Sequence, residues 1–485
     1  MSQLKKNILY NALLTTSGLI LPFITFPYVT RVLAPEGIGQ VNFANSFIQY
    51  FVIISSLGIP FYGIREIAKV RENIGLRSKI LLELFTIKAV CTLFALIVYI
   101  FLIFTTQKFT EYLPYYFWGL GTIILGIFDL NYFFSALENF KYITFRTVFF
   151  QILSVIATFI FIKTKEDALI YFLIPIFISL LNTIVNTNYI FRFINFKAIN
   201  SKLRLKRHLN PLFLLFSIML FTSIYNLLDT TLLGFLTGNT SVGYYTVASR
   251  INKIPLSLII VLVPVMLPRI SMEFKNENYI EIKRLVSKTI QFVISLGVPI
   301  MVGLFATAPE VITLFSGSEF SPSITTIRIM SPIALIIGIT TNFSTQLLIP
   351  MGKDRQLLYA VVYGTFTSLL LNLILIPLLK HNGAAISNLI AETVVLFACY
   401  FFVKKHISIV IPYKEIIINI IICLPFVGFV FISRYLLTSS ILILFISITI
   451  SAFYYIMIQI LIRKNPIMIE AKEIIYNKIL LSIKS

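Results

Sequence analysis

The sequence predicts an all-α polytopic membrane protein, and three observations carry that prediction. Hydrophobic residues make up 58% of the 485 residues, charged residues only 12%, and the mean hydropathy is +0.92. A soluble domain carries about 25% charged residues. Runs long enough to cross a bilayer, about 20 residues at ~1.5 Å each, recur along the whole chain. Examples are "ILLELFTIKAVCTLFALIVYIFLIF", "IIINIIICLPFVGFVFISRYLL" and "ILILFISITISAFYYIMIQILI". These runs are continuously apolar rather than alternating, which argues against a β-barrel.

The N-terminal stretch "MSQLKKNILYNALLTTSGLILPF" has the basic start of a signal peptide. Its apolar run continues through "ITFPYV" without a small-residue cleavage site, so it is expected to remain as a first span. Fourteen spans are expected, near 8–33, 41–63, 80–104, 115–137, 147–162, 168–191, 211–237, 242–268, 289–309, 324–350, 357–379, 384–403, 416–437 and 441–462. Cys91, Cys399 and Cys423 lie inside apolar runs with no metal-ligand spacing and read as small core residues.

Basic residues alternate between the intervening loops. Thirty of the 40 Lys and Arg fall on the face that holds the N-terminus, seven on the other, and Lys88, Arg250 and Lys253 within spans. This bias predicts both termini in the cytoplasm. The net charge of +20 is then mostly an orientation signal with some attraction to anionic lipids, and requires no nucleic acid.

The linker "RFINFKAINSKLRLKR", Arg192–Arg207, carries six cations between the sixth and seventh spans. It divides the chain into an N-lobe over 1–195, a basic cytoplasmic linker over 196–210 and a C-lobe over 211–405, followed by two further spans and a cytoplasmic tail over 406–485. Both six-span bundles begin on the cytoplasmic side, so a repeat between them must be parallel. Faint echoes support one. "EGIGQVNFANS" resembles "TSVGYYTVASR", matching Gly39 with Gly243 and Ala44 with Ala248, and Pro60 matches Pro268 ahead of a basic loop.

The stretch "PYVTRVLAPEGIGQVNFANSFIQYFVIISSLGIPFYGIREIAKVRE" resembles the start of bacterial polysaccharide biosynthesis proteins of the O-antigen and capsule repeat-unit flippase type. The six-plus-six-plus-two plan is similar to that of the wider superfamily of multidrug, oligosaccharidyl-lipid and polysaccharide exporters. The resemblance implies two lobes in a V and transfer of an undecaprenyl-diphosphate-linked oligosaccharide between leaflets of the bacterial cytoplasmic membrane by alternating access. Anionic lipids and the polysaccharide polymerase machinery are the further partners expected.

Charges at membrane depth cost roughly 2.5–3.5 kcal/mol each on insertion scales, so they normally face a cavity or a partner. In "YNLLDTTLLGFLTGNTSVGYYTVASRINKIP", Asp229 and Arg250 lie equally far from the turn at "TGNTS", and Asn372 and Glu392 flank "KHNG" in the same way. Arg250 and Lys253 share a helix face and suit a diphosphate, Arg by bidentate donation and Lys as a point charge. Arginines of the first and eighth spans line the cavity in the resembling cell-wall precursor flippases, which matches Arg31 and Arg250 here. Asp229, Asn372 and Glu392 offer oxygen ligands for Na⁺, a proton-accepting carboxylate, or a structural ion pair with Arg250. The resembling proteins that bind Na⁺ use the seventh, eleventh and twelfth spans for it. No other cofactor is expected.

In the N-lobe, Lys88 and Asp129 both lie toward the cytoplasmic end, where they either pair or touch substrate separately, and Lys88 also has the length to snorkel. Glu138, Lys141 and Arg146 read as interfacial anchors. Pro22 and Pro27 mark the first span as the candidate bending element. Outward loops are short, and His208, His381 and His406 are read as scattered loop residues, so neither a polymerase site nor any other catalytic constellation is expected. A multidrug exporter is the nearer rival, although its cavity would favour acidic residues for cationic drugs.

Overall fold

Backbone polar groups with no water to bond must satisfy one another within helices, and every regular element among the described residues is helical. The structure, a computed structural model, describes residues 3–199, 202–465 and 469. Residues 200 and 201 of the linker and the tail cations Lys472, Lys478 and Lys484 lie outside them. Among the described residues, eleven helical stretches are long and apolar enough to cross a membrane. Two of these fold back on themselves, at Ala34 (φ 59°) and at Lys380 (φ 51°).

The chain divides into two compact units after Gly243. The first contains α1 (Gln3–Ser56), α2 (Ile59–Ala68), α3 (Ile74–Thr105), α4 (Gln107–Thr110), α5 (Leu113–Gly126), α6 (Asn131–Ala136), α7 (Phe140–Phe161), α8 (Ala168–Ile190) and α9 (Lys206–Thr237). α1 is the hub, packing on α3, α5, α7 and α9. Its helix continues through Pro22 and Pro27, and its non-helical residue is Ala34, directly before Pro35.

Behind the hub, Ile59, Tyr62, Leu84, Tyr132, Phe133, Phe134 and Leu212 form a buried core. Gly58 enters α2 at φ 76°, and a Cβ there would stand 2.9 Å from the Phe216 nitrogen, so the turn lies directly on α9. The start of the six-cation linker is tied to α3. Arg77 Nε donates to the Phe193 carbonyl at 2.7 Å, and the Asn195 amide donates to Ser78 Oγ at 2.9 Å.

α10 (Asn239–Ile259) begins at the end of the first unit. The second unit continues with α11 (Leu262–Lys275), α12 (Tyr279–Ala306), α13 (Ala308–Ser316), α14 (Ser323–Met330) and α15 (Ile333–Phe343). α16 (Asp354–Lys404), α17 (Tyr413–Cys423), α18 (Pro425–Leu436) and α19 (Ser440–Met457) complete it. α12 packs on α11, α15 and α17, and α15 on α16. Two π-helical turns, Ser344–Leu348 and Ile458–Ile462, extend α15 and α19.

Arg434 of α18 clasps the buried Glu310 of α13 in a bidentate pair, with Nε to Oε1 at 2.6 Å and Nη2 to Oε2 at 2.9 Å. The same guanidinium donates to the Ala306 carbonyl at 2.8 Å. An apolar groove of about 500 Å³ runs between α12, α18 and α19 past Pro299, Ile300, Phe426 and Ile448.

Candidate functional site

The helical rise that separates Lys88 from its loop brings it level with the break between α5 and α6, where residues 127–130 leave the helix. A helix end exposes carbonyls without partners, and the Lys88 ammonium, only 3% exposed, donates to the Asp129 carbonyl at 3.2 Å. The Asp129 carboxylate accepts the Asn131 amide at 3.2 Å, opening α6. The Lys88 ammonium also stands 6.0 Å from the centre of the Tyr132 ring. Lys88 and Asp129 therefore meet through the main chain.

A second cation joins them. Arg146 of α7 is 6% exposed and donates to the amide oxygens of Asn186 on α8 and Asn131 on α6, with Tyr142 5.2 Å below its guanidinium. The interfacial role expected for Arg146 is thus corrected. Two asparagines from other helices supply acceptors at bilayer depth, so the side chain turns inward. Among its described residues the first unit buries three Lys and Arg side chains, Lys79, Lys88 and Arg146, of which Lys88 donates to the main chain of the exposed Asp129 and Arg146 to Asn131 two residues on.

Asp229 is buried on α9. Thr231 beside it bonds Ser46 Oγ at 3.1 Å and Tyr50 Oη at 3.3 Å. Further out, the Phe43 ring lies on Gly234, and Gly39 reaches main chain. A Cβ on Gly39 would stand 1.7 Å from the Asn239 carbonyl oxygen and 2.9 Å from the Gly243 nitrogen. The two glycines that match between the sequence repeats touch each other.

Arg31 is exposed on α1, three residues before its break at Ala34. Arg250 is half-buried and Lys253 exposed, one turn apart on α10. Asn372 is buried on α16 and donates to Ser368 Oγ at 3.0 Å, while Glu392 is half-buried on the returning arm. The break at Lys380 falls eight residues after Asn372 and twelve before Glu392, a depth difference of about 6 Å at the helical rise.

One cluster has no counterpart in the reading of the sequence. Glu83, with no exposed surface, sits in the first turns of α3 and accepts three hydrogen bonds from the chain that leads into α9. The donors are the Arg204 amide (2.6 Å), Arg207 Nη2 (2.6 Å) and His208 Nε2 (2.9 Å). His208, 1% exposed, bonds the Tyr62 hydroxyl through Nδ1 at 2.8 Å. His208 is therefore a buried residue of the first turn of α9 and not a loop residue. The available signal was a carboxylate inside the apolar run "ILLELF", which requires a partner.

Among solved structures, this architecture is similar to that of a lipid II flippase MurJ in an inward closed conformation. The match spans 94% of this chain and 99% of that one at a TM-score of 0.74 and 18% identity. An inward-facing multidrug resistance MATE family transporter of the MOP superfamily follows at a TM-score of 0.64 and 12% identity, covering 80% of this chain and 94% of that one. The fold is thus that of the multi-pass membrane flippases and exporters. Within that class the chain belongs to the polysaccharide biosynthesis protein family, whose model matches residues 4–274. A protein of Escherichia coli K12 named for O-antigen transport is 25% identical over 409 residues, covering 83% of this chain and 97% of that one.

Proposed function

We propose that the chain flips undecaprenyl-diphosphate-linked oligosaccharide repeat units from the cytoplasmic to the outer leaflet of the bacterial cytoplasmic membrane by alternating access. The observation that carries this reading is the sign of the charge at membrane depth. Lys88 and Arg146 are buried in the first unit, and Arg250 with Lys253 lies on α10 of the second. Cations suit a diphosphate, since Arg can engage two phosphate oxygens at once and Lys adds a compact charge. Membership of a polysaccharide biosynthesis family and likeness to a protein named for O-antigen transport support the substrate class.

Arg250, Lys253, Arg31 and Lys88 are the proposed substrate cations. Asp229, Asn372 and Glu392 are the proposed coupling oxygens, for Na⁺ or for a proton. The positive-inside pattern supports cytoplasmic termini, and the polysaccharide polymerase machinery is the proposed acceptor of the product. Catalysis is not part of this reading. The multidrug MATE fold likeness keeps an ion-coupled drug exporter as the rival.

A deletion strain separates the two. Loss of surface polysaccharide with accumulation of lipid-linked repeat unit, restored by the gene, is the expected outcome. Drug sensitivity with intact surface polysaccharide would establish the rival instead.

A further inference from the structure

The first half of α1 is covered on one side only. Tyr10, Leu14, Ser17 and Leu21 are half-buried there, and Thr144 of α7 donates to the Tyr10 carbonyl at 2.9 Å. The rest of its surface separates into two flanks. Leu9, Leu13, Ile20 and Ile24, each about half exposed, form an apolar flank that suits lipid. Asn11, Thr15, Gly18 and Pro22 are exposed as well and recur at i, i+4, i+7 and i+11, the spacing of one helix face. At ~100° per residue the two flanks lie about half a turn apart.

The second flank carries hydrogen-bond acceptors and no charge. The Thr15 hydroxyl donates its hydrogen to the Asn11 carbonyl at 2.9 Å, so only its lone pairs remain to face outward. Pro22 has no N–H for the carbonyl four residues earlier, which is that of Gly18, and glycine has no side chain to cover it. A Cβ on Gly18 would lie 3.8 Å from Gln151 Nε2 on α7, and the buried Gln151 Oε1 accepts no hydrogen bond from the described residues. Acceptors left without donors in hydrocarbon cost free energy, so this flank meets water or a hydroxyl-rich ligand. α9 offers the same kind of uncharged surface. Exposed Thr222 donates to the Ile218 carbonyl at 2.9 Å, and exposed Asn226 to the Thr222 carbonyl at 2.8 Å.

We propose that the Asn11–Thr15–Gly18–Pro22 flank of α1 is a glycan-binding strip, whose oxygens accept hydrogen bonds from sugar hydroxyls of the lipid-linked repeat unit. The cations proposed above take the diphosphate, and the strip takes the sugars that follow it. From Asn11 to Pro22 it runs about 16 Å at the helical rise. A row open along one side cannot enclose an ion, whereas a chain of sugars presents hydroxyl donors along its edge. The inference rests on the flippase reading and adds to it the residues that sense the glycan.

Two measurements on purified protein in nanodiscs test it. The first needs no substrate. With the three native cysteines replaced, Thr15→Cys and Leu13→Cys are exposed to a membrane-impermeant maleimide. Thr15→Cys should label and Leu13→Cys should not, because only the first stands on a flank that meets water. Equal labelling of the two, or labelling of Leu13→Cys alone, overturns the proposal.

The second compares two probes, undecaprenyl diphosphate without sugar and the lipid-linked repeat unit extracted from the deletion strain. The double variant Asn11→Leu with Thr15→Val keeps the helix and removes two acceptors. It should bind the sugar-bearing lipid about tenfold more weakly than the parent does and the bare diphosphate as the parent does. Retained binding of the bare lipid also reports that the variant is folded. Equal weakening for both lipids, or no change for either, overturns the strip while the flippase reading stands. A deletion strain that accumulates no lipid-linked repeat unit, or a parent protein that binds neither lipid, refutes the flippase reading and the strip with it.

Discussion

Replacing Gly39 with alanine adds one methyl group at a place where the two helical hairpins touch through main chain. The added Cβ would lie 1.7 Å from the Asn239 carbonyl oxygen, 2.5 Å from its carbon and 2.9 Å from the Gly243 nitrogen. Carbon contacts settle near 3.5–4.0 Å, so the turn before α10 must retreat by about 2 Å. None of the three atoms belongs to a side chain that could rotate aside.

Overpacking a close contact costs typically ~1–3 kcal/mol, occasionally more, and a main-chain clash of this depth belongs at the upper end. About 3 kcal/mol corresponds to a loss of roughly 100-fold in the population of the arrangement seen here. The assays are thermal unfolding of the purified protein and restoration of surface polysaccharide in a deletion strain. Gly39→Ala should lower the Tm by several degrees and impair restoration.

Gly428→Ala is the matched control, because a Cβ on that α18 glycine meets nothing within 4 Å. It should be neutral or more stable by about 0.5–1 kcal/mol from helix propensity. If Gly39→Ala behaves like Gly428→Ala in both assays, the contact and the reasoning built on it are wrong.

Two further outcomes follow from the charges. Arg434→Gln strands the carboxylate of Glu310, which is only 5% exposed. With the arginine itself 36% exposed and solvent-screened, the loss should be about 1–2 kcal/mol, read as a lower Tm, and the double variant with Glu310→Gln should recover part of it. Asp229→Ala and Glu392→Ala should each abolish the dependence of repeat-unit transport on a Na⁺ or proton gradient. Unaltered transport with unaltered ion dependence in both would remove these residues from coupling.

The helical class was legible because lipid leaves the chain few options, and a run such as 80–104 declares itself by length and apolarity alone. The meeting of Lys88 with Asp129 was also open to inspection, since counting from the flanking loops places both toward the same end of their spans. Arg146 was misjudged because position near a helix end says nothing about acceptors. Its amides come from Asn131 and Asn186, 15 and 40 residues away.

Glu83 was overlooked for the same reason on a larger scale, its donors lying 121 to 125 residues later in the chain. Periodicity and charge bias report what a segment does against lipid. They carry no information on which distant segment fills a lone pair. Equal spacing about a turn was an unsafe ruler as well. The hairpin of α16 breaks at Lys380, and the two arms therefore carry Asn372 and Glu392 to unequal depths.

The junction of Gly39 with Asn239 and Gly243 also has a meaning for diversification. Its atoms are main chain, so it discriminates by bulk alone and is blind to polarity, charge and hydrogen-bonding character nearby. Descendants handling different sugars can rewrite the surrounding side chains without refitting this joint, provided nothing larger than hydrogen is placed on either glycine.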